Sequence, residues 1–343
     1  MKIAHYELKL VDPFGIARET RTTNKVVLVD VDGGIGESSP TKFYGESADS
    51  VEQTLRQIEP LLEMGDLDYI ENIDAAMESL VKGNQSAKAA VDIALHDRLA
   101  KKLGVPLYKL FGRDPNCEMV SSFTIGIDTL DVMMQKVEKS KQYDILKIKL
   151  GKDYEHDLAV MKEIRKAVGD KTVRVDMNGG YTLETARVAC RAMADLGVEY
   201  VEQPLYKGSH AELRELHKDA PLSILVDEDS MVAADLPKLV GAVDGINIKL
   251  MKSAGIAEAR RMIAIARAFD MKIMIGCMIE TSVAITAAAH LAPFADYLDL
   301  DGSLLTSNDP FTGAIFEPNG RFTIPNAPGL GVALKPDTPP IFN

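Results

Sequence analysis

Asp176, Glu202 and Asp227 each close a short apolar run, at 172–177, 198–202 and 223–227, and the positions are separated by 26 and 25 residues. If those runs are neighbouring strands, the three side chains converge on one point. Carboxylates brought together in this way repel strongly unless a cation lies among them. An all-oxygen ligand set with room for water and substrate oxygens suits a hard divalent ion, with Mg²⁺ the first candidate. Any one of the acids alone could be a solvated strand end; the shared spacing argues for a shared site. Lysines flank the cluster on both sides. Lys147 and Lys149 alternate about Ile148 and so face one way, while Lys249 follows Asn247-Ile248 beyond the last acid. Further on, Asp299 and Asp301 flank Leu300; strand residues two apart face the same side, and two acids there make a site for a substrate cation.

These residues need a scaffold that presents strand ends side by side. From about residue 118, short apolar runs at 119–126, 144–150, 172–177, 198–202, 223–227, 244–250, 272–277 and 296–300 alternate with helical patterns, roughly one strand–helix unit every 25 residues. Eight strands with seven helices between them imply a parallel sheet closed into an α/β barrel, over residues 116–309. In such a barrel chemistry sits at the C-terminal strand ends, which is where the acids and lysines fall. Residues 1–115 read differently. Strands at 2–11 and 24–32 are separated by a polar loop, Asp12 to Asn24, and followed by helices at 50–64, 69–82 and 86–103, the last stopped by Gly104 and Pro106. This is an α+β unit, expected to cap the barrel. The Pro/Gly-rich tail, 310–343, has no helical pattern and is expected to pack back on it.

With 46% hydrophobic residues in 343, a large core can be buried. A net charge of −12 argues against nucleic acid and anionic membrane as partners. Cys117, Cys190 and Cys277 are scattered and odd in number, without a CxxC or Cys/His pairing, so neither a zinc site nor a disulfide framework is expected. No signal-peptide pattern or long apolar span is present, and a soluble cytoplasmic protein, with a homo-oligomer left open, is the expectation.

Taken together, Lys147-Ile148-Lys149, Asp176-Met177-Asn178, Glu202-Gln203-Pro204, Asp227-Glu228 and Asn247-Ile248-Lys249-Leu250-Met251-Lys252 resemble the muconate-lactonizing subgroup of the enolase superfamily, and residues 86–112 resemble its N-terminal signature. The resemblance covers nearly the whole chain. It implies a (β/α)₇β modified TIM barrel with an α+β capping domain, and one Mg²⁺ per subunit on Asp176, Glu202 and Asp227. It implies Lys149 and Lys249 as acid/base groups on opposite faces of the substrate, Lys147 and Glu228 as charges close behind them, Asn178 as support for the metal site, and Thr124 beside the substrate. The lysine base and Mg²⁺ arrangement is general to this superfamily. Two opposed lysines suit 1,1-proton transfer, although cycloisomerases and o-succinylbenzoate synthases of the subgroup use similar lysines. Asp299-Leu300-Asp301 resembles the motif with which dipeptide epimerases bind the substrate's N-terminal ammonium. The segment Ile16-Ala17-Arg18-Glu19-Thr20-Arg21 resembles the loop of Ala-Glu epimerases, implying that it closes over the barrel mouth, that Arg18 and Arg21 face the substrate, and that Arg21 pairs its glutamate side chain. The expected substrate is L-Ala-D/L-Glu from cell-wall peptide recycling, with cationic or apolar dipeptides as alternatives. One departure stands out: Ser253-Ala254-Gly255, where the subgroup commonly has Gly-Gly.

Overall fold

The computed structural model describes residues 1–342. The chain opens with an antiparallel sheet of β1 (Lys2–Gly15), β2 (Thr20–Val31) and β3 (Gly34–Ser38), followed by α1 (Ala48–Met64), α2 (Ile70–Leu80), α3 (Gln85–Lys102) and the single turn α4 (Leu107–Leu110). Val27, Val29 and Val31 alternate along β2 and pack with Val51, Leu55 and Ile58 of α1 and Val91 and Leu95 of α3. The helix α1 starts at a capping box between Ser47 and Ser50. The third strand, β3, escaped the sequence reading because Gly34-Ile35-Gly36-Glu37-Ser38 has no apolar alternation. Its glycines are what let it lie directly on α3: a Cβ on Gly34 or Gly36 would run into the carbonyl oxygens of Ala94 or Ala90.

The expected loop from Asp12 to Asn24 is mostly strand. β1 and β2 continue to a four-residue turn, Ile16 to Glu19, closed by Ile16 N donating to Glu19 O at 2.9 Å, with Gly15 opposite Thr20 and Phe14 opposite Arg21. The ladder is irregular between Lys9 and Phe14, where Val11 N turns to Leu305 O instead, at 3.0 Å. This hairpin reaches beyond the cap's own core, so its polar pattern hid it, while its threonines favour extended backbone. It is fixed to the barrel at Gly15, whose carbonyl accepts from Ile127 N at 2.8 Å and whose α-carbon lies too close to Ile127 for any side chain.

The barrel strands are β4 (Phe123–Ile125), β5 (Ile145–Lys149), β6 (Thr172–Asp176), β7 (Tyr200–Glu202), β8 (Ser223–Val226), β9 (Gly245–Ile248), β10 (Lys272–Gly276) and β11 (Tyr297–Asp299), all parallel and in sequence order. Between them run α5 (Leu130–Lys139), α6 (Tyr154–Val168), α7 (Leu183–Asp195), α8 (His210–Asp219), α9 (Leu236–Leu239), α10 (Ile256–Ala268) and α11 (Ser282–Ala289). The first strand is shorter than its apolar run. Ser122 gives its amide to Leu298 O of β11 at 3.1 Å, joining the first strand to the last, while Ser121 gives its amide to Gly320 O in the tail at 2.9 Å. Among the described residues no helix is long and apolar enough to cross a membrane. The tail holds short pairs, β12 (Phe311–Thr312) with β15 (Ala333–Leu334) and β13 (Ile315–Phe316) with β14 (Phe322–Thr323). It touches both units: Ala314 N donates to Thr286 Oγ1 on α11, while Leu330 N donates to Asp97 Oδ1 on α3, each at 2.8 Å.

Two acids of the cap terminate helices of the barrel. Asp92 on α3 is fully buried and accepts from Ile256 N and Ala257 N at the start of α10. Glu37 on β3 accepts from Thr281 N at 2.8 Å, Thr281 Oγ1 at 2.5 Å and Ala284 N at 3.1 Å at the start of α11. Both complement unpaired amides and the positive helix end. The Ser253-Ala254-Gly255 departure lies beside the first joint. Ala254 takes a left-handed φ of 60°, a conformation glycine would adopt without cost, and Gly255 is pressed against Asp92. The contact of β3 with α3 yields a stability prediction. Gly36→Ala should lower the urea midpoint, with a loss of about 3 kcal/mol for overpacking against backbone; an unchanged midpoint would mean that the sheet has room to spare.

Candidate active site

Asp176 and Glu202 close adjacent strands and stand opposite each other in the ladder, and Asp227 follows β8 by one residue. All three are buried, with one carboxylate oxygen from each lying within 4.8 Å of the others. Their orientations are held by neighbours. Asp176 Oδ1 accepts from Asn178 N at 2.8 Å, and Glu202 Oε1 accepts from Asn247 Nδ2 at 2.7 Å. Gln203 Oε1 takes the amides of both Asp227 and Glu228 at 3.0 Å. Asn178 and Gln203, next to the acids, have left-handed φ values of 43° and 40°, strain of the kind that surroundings maintain at functional sites. Glu202 Oε2 and Asp227 Oδ1 are buried without an aligned hydrogen bond. Three buried carboxylates converging this closely, as an all-oxygen set, fit a hard divalent cation.

Four lysines surround the acids. Lys147 is fully buried, 2.6 Å from Glu202 Oε2, 2.8 Å from Asp299 Oδ2 and 3.5 Å from Asp176 Oδ2. Lys149 Nζ lies 2.5 Å from Asp176 Oδ2 and Lys249 Nζ 2.9 Å from Asp227 Oδ2. They come from β5 and from just past β9, the strands that bracket the acid-bearing three. Lys252, quoted in the motif but given no role there, has its Nζ 2.5 Å from Asp227 Oδ1 and donates to the carbonyls of Asp227 and Asn247 at 2.5 and 2.9 Å. Burial works against charge on Lys147 and Lys249, but the carboxylates around them outweigh it and raise both pKa values; for Lys252 burial wins and lowers it. Burial likewise lifts the acids. It prevails at Glu202, together with the charge of Asp176, whereas the lysines hold Asp176 and Asp227 below the usual carboxylate range.

Above this floor opens a cleft of about 900 Å³ including its mouth. Lys149, Asp227, Lys249, Asn178, Glu228, Thr124, Asp299 and Asp301 line it from the barrel, and Arg18, Glu19 and Arg21 from the hairpin. Lys147, Asp176 and Glu202 lie beneath. Asp299 Oδ1 accepts from Ser122 Oγ at 2.6 Å, and Asp301 Oδ2 from Thr124 N at 2.6 Å. Burial opposes ionisation of both, but Lys147 brings Asp299 down to about 2, while the charge of Asp299 adds to burial and pushes Asp301 up to about 7. Arg18 reaches Glu228 Oε1 at 2.6 Å and Asn178 O at 2.7 Å, with its guanidinium 3.9 Å from the centre of the Phe43 ring. Arg21 donates to Asn24 Oδ1 at 3.1 Å and Thr41 Oγ1 at 3.4 Å and is ion-paired with Glu19. From the sequence alone no role attaches to Gln203, Asn247, Lys252, Ser122 or Phe43. Gln203, Asn247 and Lys252 sit inside the quoted motifs, one, two and three positions from a singled-out residue, and Ser122 lies two before Thr124; for Phe43 of the cap nothing in the sequence indicates proximity.

Comparison with known proteins shows the family to which the chain belongs. Residues 1–112 match the mandelate racemase/muconate lactonizing enzyme N-terminal domain, and residues 132–338 the enolase C-terminal domain-like family. An L-Ala-D/L-Glu epimerase of Bacteroides thetaiotaomicron is 39% identical over 95% of this chain and 86% of its own length. A hydrophobic dipeptide epimerase of Roseobacter litoralis is 44% identical over 73% of this chain and 74% of its own. The crystal structure of a dipeptide epimerase from Enterococcus faecalis, in complex with Mg and L-Leu-L-Tyr, superposes with a TM-score of 0.91 at 36% identity, covering 97% of this chain and all of that one. Matched over both its cap and its barrel, the chain is an enzyme of the enolase superfamily, in its mandelate racemase/muconate lactonizing group.

Proposed function

We propose that the protein is a Mg²⁺-dependent dipeptide epimerase that inverts the α-carbon of the second residue. The observation that carries this reading is the placement of Lys149 and Lys249 on the two sides of the acid triad, in one cleft with Asp299 and Asp301. Asp176, Glu202 and Asp227 would hold one Mg²⁺ per subunit, supplying positive charge against the substrate carboxylate and the negative charge that develops on it. One lysine takes the α-proton from its side while the other returns a proton from the far side, and the roles exchange in the reverse direction. Asp299 and Asp301 receive the N-terminal ammonium, which orients the dipeptide and sets it apart from a muconate or a sugar acid, neither of which carries such a cation. Thr124 fixes Asp301; Lys147 neutralises Asp299 and Glu202 from below. Asn178 and Glu228, bridged by Arg18, hold the hairpin over the mouth and exclude water.

For the second residue we favour glutamate, hence L-Ala-D/L-Glu and a role in cell-wall peptide recycling in the cytoplasm. Arg21 presents a guanidinium to the cleft, and the fork suits a carboxylate; the Bacteroides relative bears the name of that activity. Apolar dipeptides are a second reading, favoured by one observation: the Arg21 charge is already met by Glu19.

Three outcomes are expected. Asp227→Asn should abolish Mg²⁺ binding in isothermal titration together with turnover after chelation and metal restoration; wild-type-like binding by the variant would remove the triad as metal site. In D₂O, Lys149→Ala and Lys249→Ala should each lose epimerization yet exchange the α-proton of one epimer only, followed by mass spectrometry. Substantial epimerization by either variant contradicts a two-base scheme. Finally, Asp301 must be ionised to pair an ammonium, and its folded pKa is raised to about 7, so it is neutral below that pH and charged above. The kcat/KM for dipeptides should therefore rise as pH increases through about 7, a limb absent in Asp301→Asn, and N-acetylation of the substrate should cost ~10²-fold. Equal rates for free and acetylated dipeptides would exclude these acids as the ammonium site.

A further inference from the structure

Two arginines of the hairpin enter the cleft, and their surroundings differ. Arg18 is consumed by the protein: a buried carboxylate, a carbonyl and an aromatic face account for its donors and its plane. Arg21 is positioned mainly by neutral groups. Asn24, which holds it, is buried and itself locked by donating to Ser39 Oγ at 2.9 Å and Ile279 O at 2.8 Å. Thr41 Oγ1 supplies the second neutral acceptor. The only charged partner of Arg21 among the described residues is Glu19, in the hairpin turn, with its side chain 37% exposed. That carboxylate has no other ion pair among the described residues. An exposed pair of this kind is weakly held and exchangeable.

We propose that Glu19 is a specificity-determining residue, an internal competitor that occupies Arg21 with the same functional group a glutamate side chain of the substrate would bring. The inference rests on the epimerase reading and concerns the second residue of the dipeptide. A substrate glutamate displaces Glu19 into solvent and takes its place on a guanidinium that Asn24 and Thr41 keep in position. A neutral side chain leaves Glu19 where it is, so no unpaired cation is left facing an apolar group. The site thereby accepts both acidic and neutral second residues, at the expense of affinity for the acidic ones. Without Glu19, Arg21 would present a bare charge, and the enzyme would narrow toward acidic dipeptides.

The test compares kcat/KM for L-Ala-L-Glu and L-Ala-L-Leu, at saturating Mg²⁺, in wild type, Glu19→Gln, Arg21→Gln and the double variant. Glu19→Gln should raise the Ala-Glu to Ala-Leu ratio about tenfold, through a lower KM for Ala-Glu with kcat little altered, as expected for relief of competition rather than a change in chemistry. In the Arg21→Gln background the same change should leave the ratio within about twofold, because the effect runs through Arg21. An unchanged ratio in Glu19→Gln, or a gain that persists without Arg21, overturns the proposal while leaving the epimerase reading intact. A wild type that turns over neither dipeptide overturns both.

Discussion

Negative charge concentrated in a dry space governs this molecule. Three carboxylates buried within 4.8 Å of one another cannot coexist in a low-dielectric interior without compensating positive charge. The chain answers with lysines placed where a barrel normally carries aliphatic side chains. Lys147 and Lys252 are fully buried, and their ammoniums lie against the same carboxylates that a cation would bind. The result is a charge-balanced floor in which each acid is oriented before any ligand arrives. The lysines that line the cleft, Lys149 and Lys249, differ from these two chiefly in access: they stand at the upper rim, with one side toward the acids and the other toward the open volume.

That floor requires exact neighbours, and the backbone pays for some of them. Left-handed residues at Asn178 and Gln203 follow two of the acids, letting an amide turn back on Asp176 and a side chain gather the amides of Asp227 and Glu228. Such conformations persist only where surrounding contacts over-determine them. The cap contributes to that rigidity. Asp92 and Glu37 reach across to the starts of α10 and α11, the helices that follow the strands leading to Lys249 and Cys277. Glu37 is fully buried at this joint, and burial pushes its carboxyl up to about 7 against the pull of its hydrogen bonds.

The cap also completes the cleft. Glycine at position 15 permits the hairpin to touch the barrel backbone, and Arg18 then bridges to Glu228 and Asn178. On the proposed reading the proton-transfer and ammonium-binding groups come from the barrel, and the groups that would meet the second side chain come from the hairpin.

Much of this was legible in the sequence. The strand–helix period, the acids ending three successive apolar runs, and the alternation of Lys147 with Lys149 are local patterns, since a parallel barrel repeats one unit and places equivalent positions on one rim. The hairpin was misread as a loop because its stability comes from docking on Ile127 and Leu305, contacts more than a hundred residues distant that leave no apolar alternation behind. The strand β3 was invisible for a related reason: its glycines record the closeness of α3, not an intrinsic preference for extended backbone. Amino-acid type and spacing determined the barrel and which side chains meet at its rim. Tertiary structure alone decided how their charges are shared, giving Lys252 to Asp227, Lys147 to Asp299 and Glu19 to Arg21. Pairing depends on ångström-scale distances and on exclusion of water, and neither is a property of a residue or of its place in the chain.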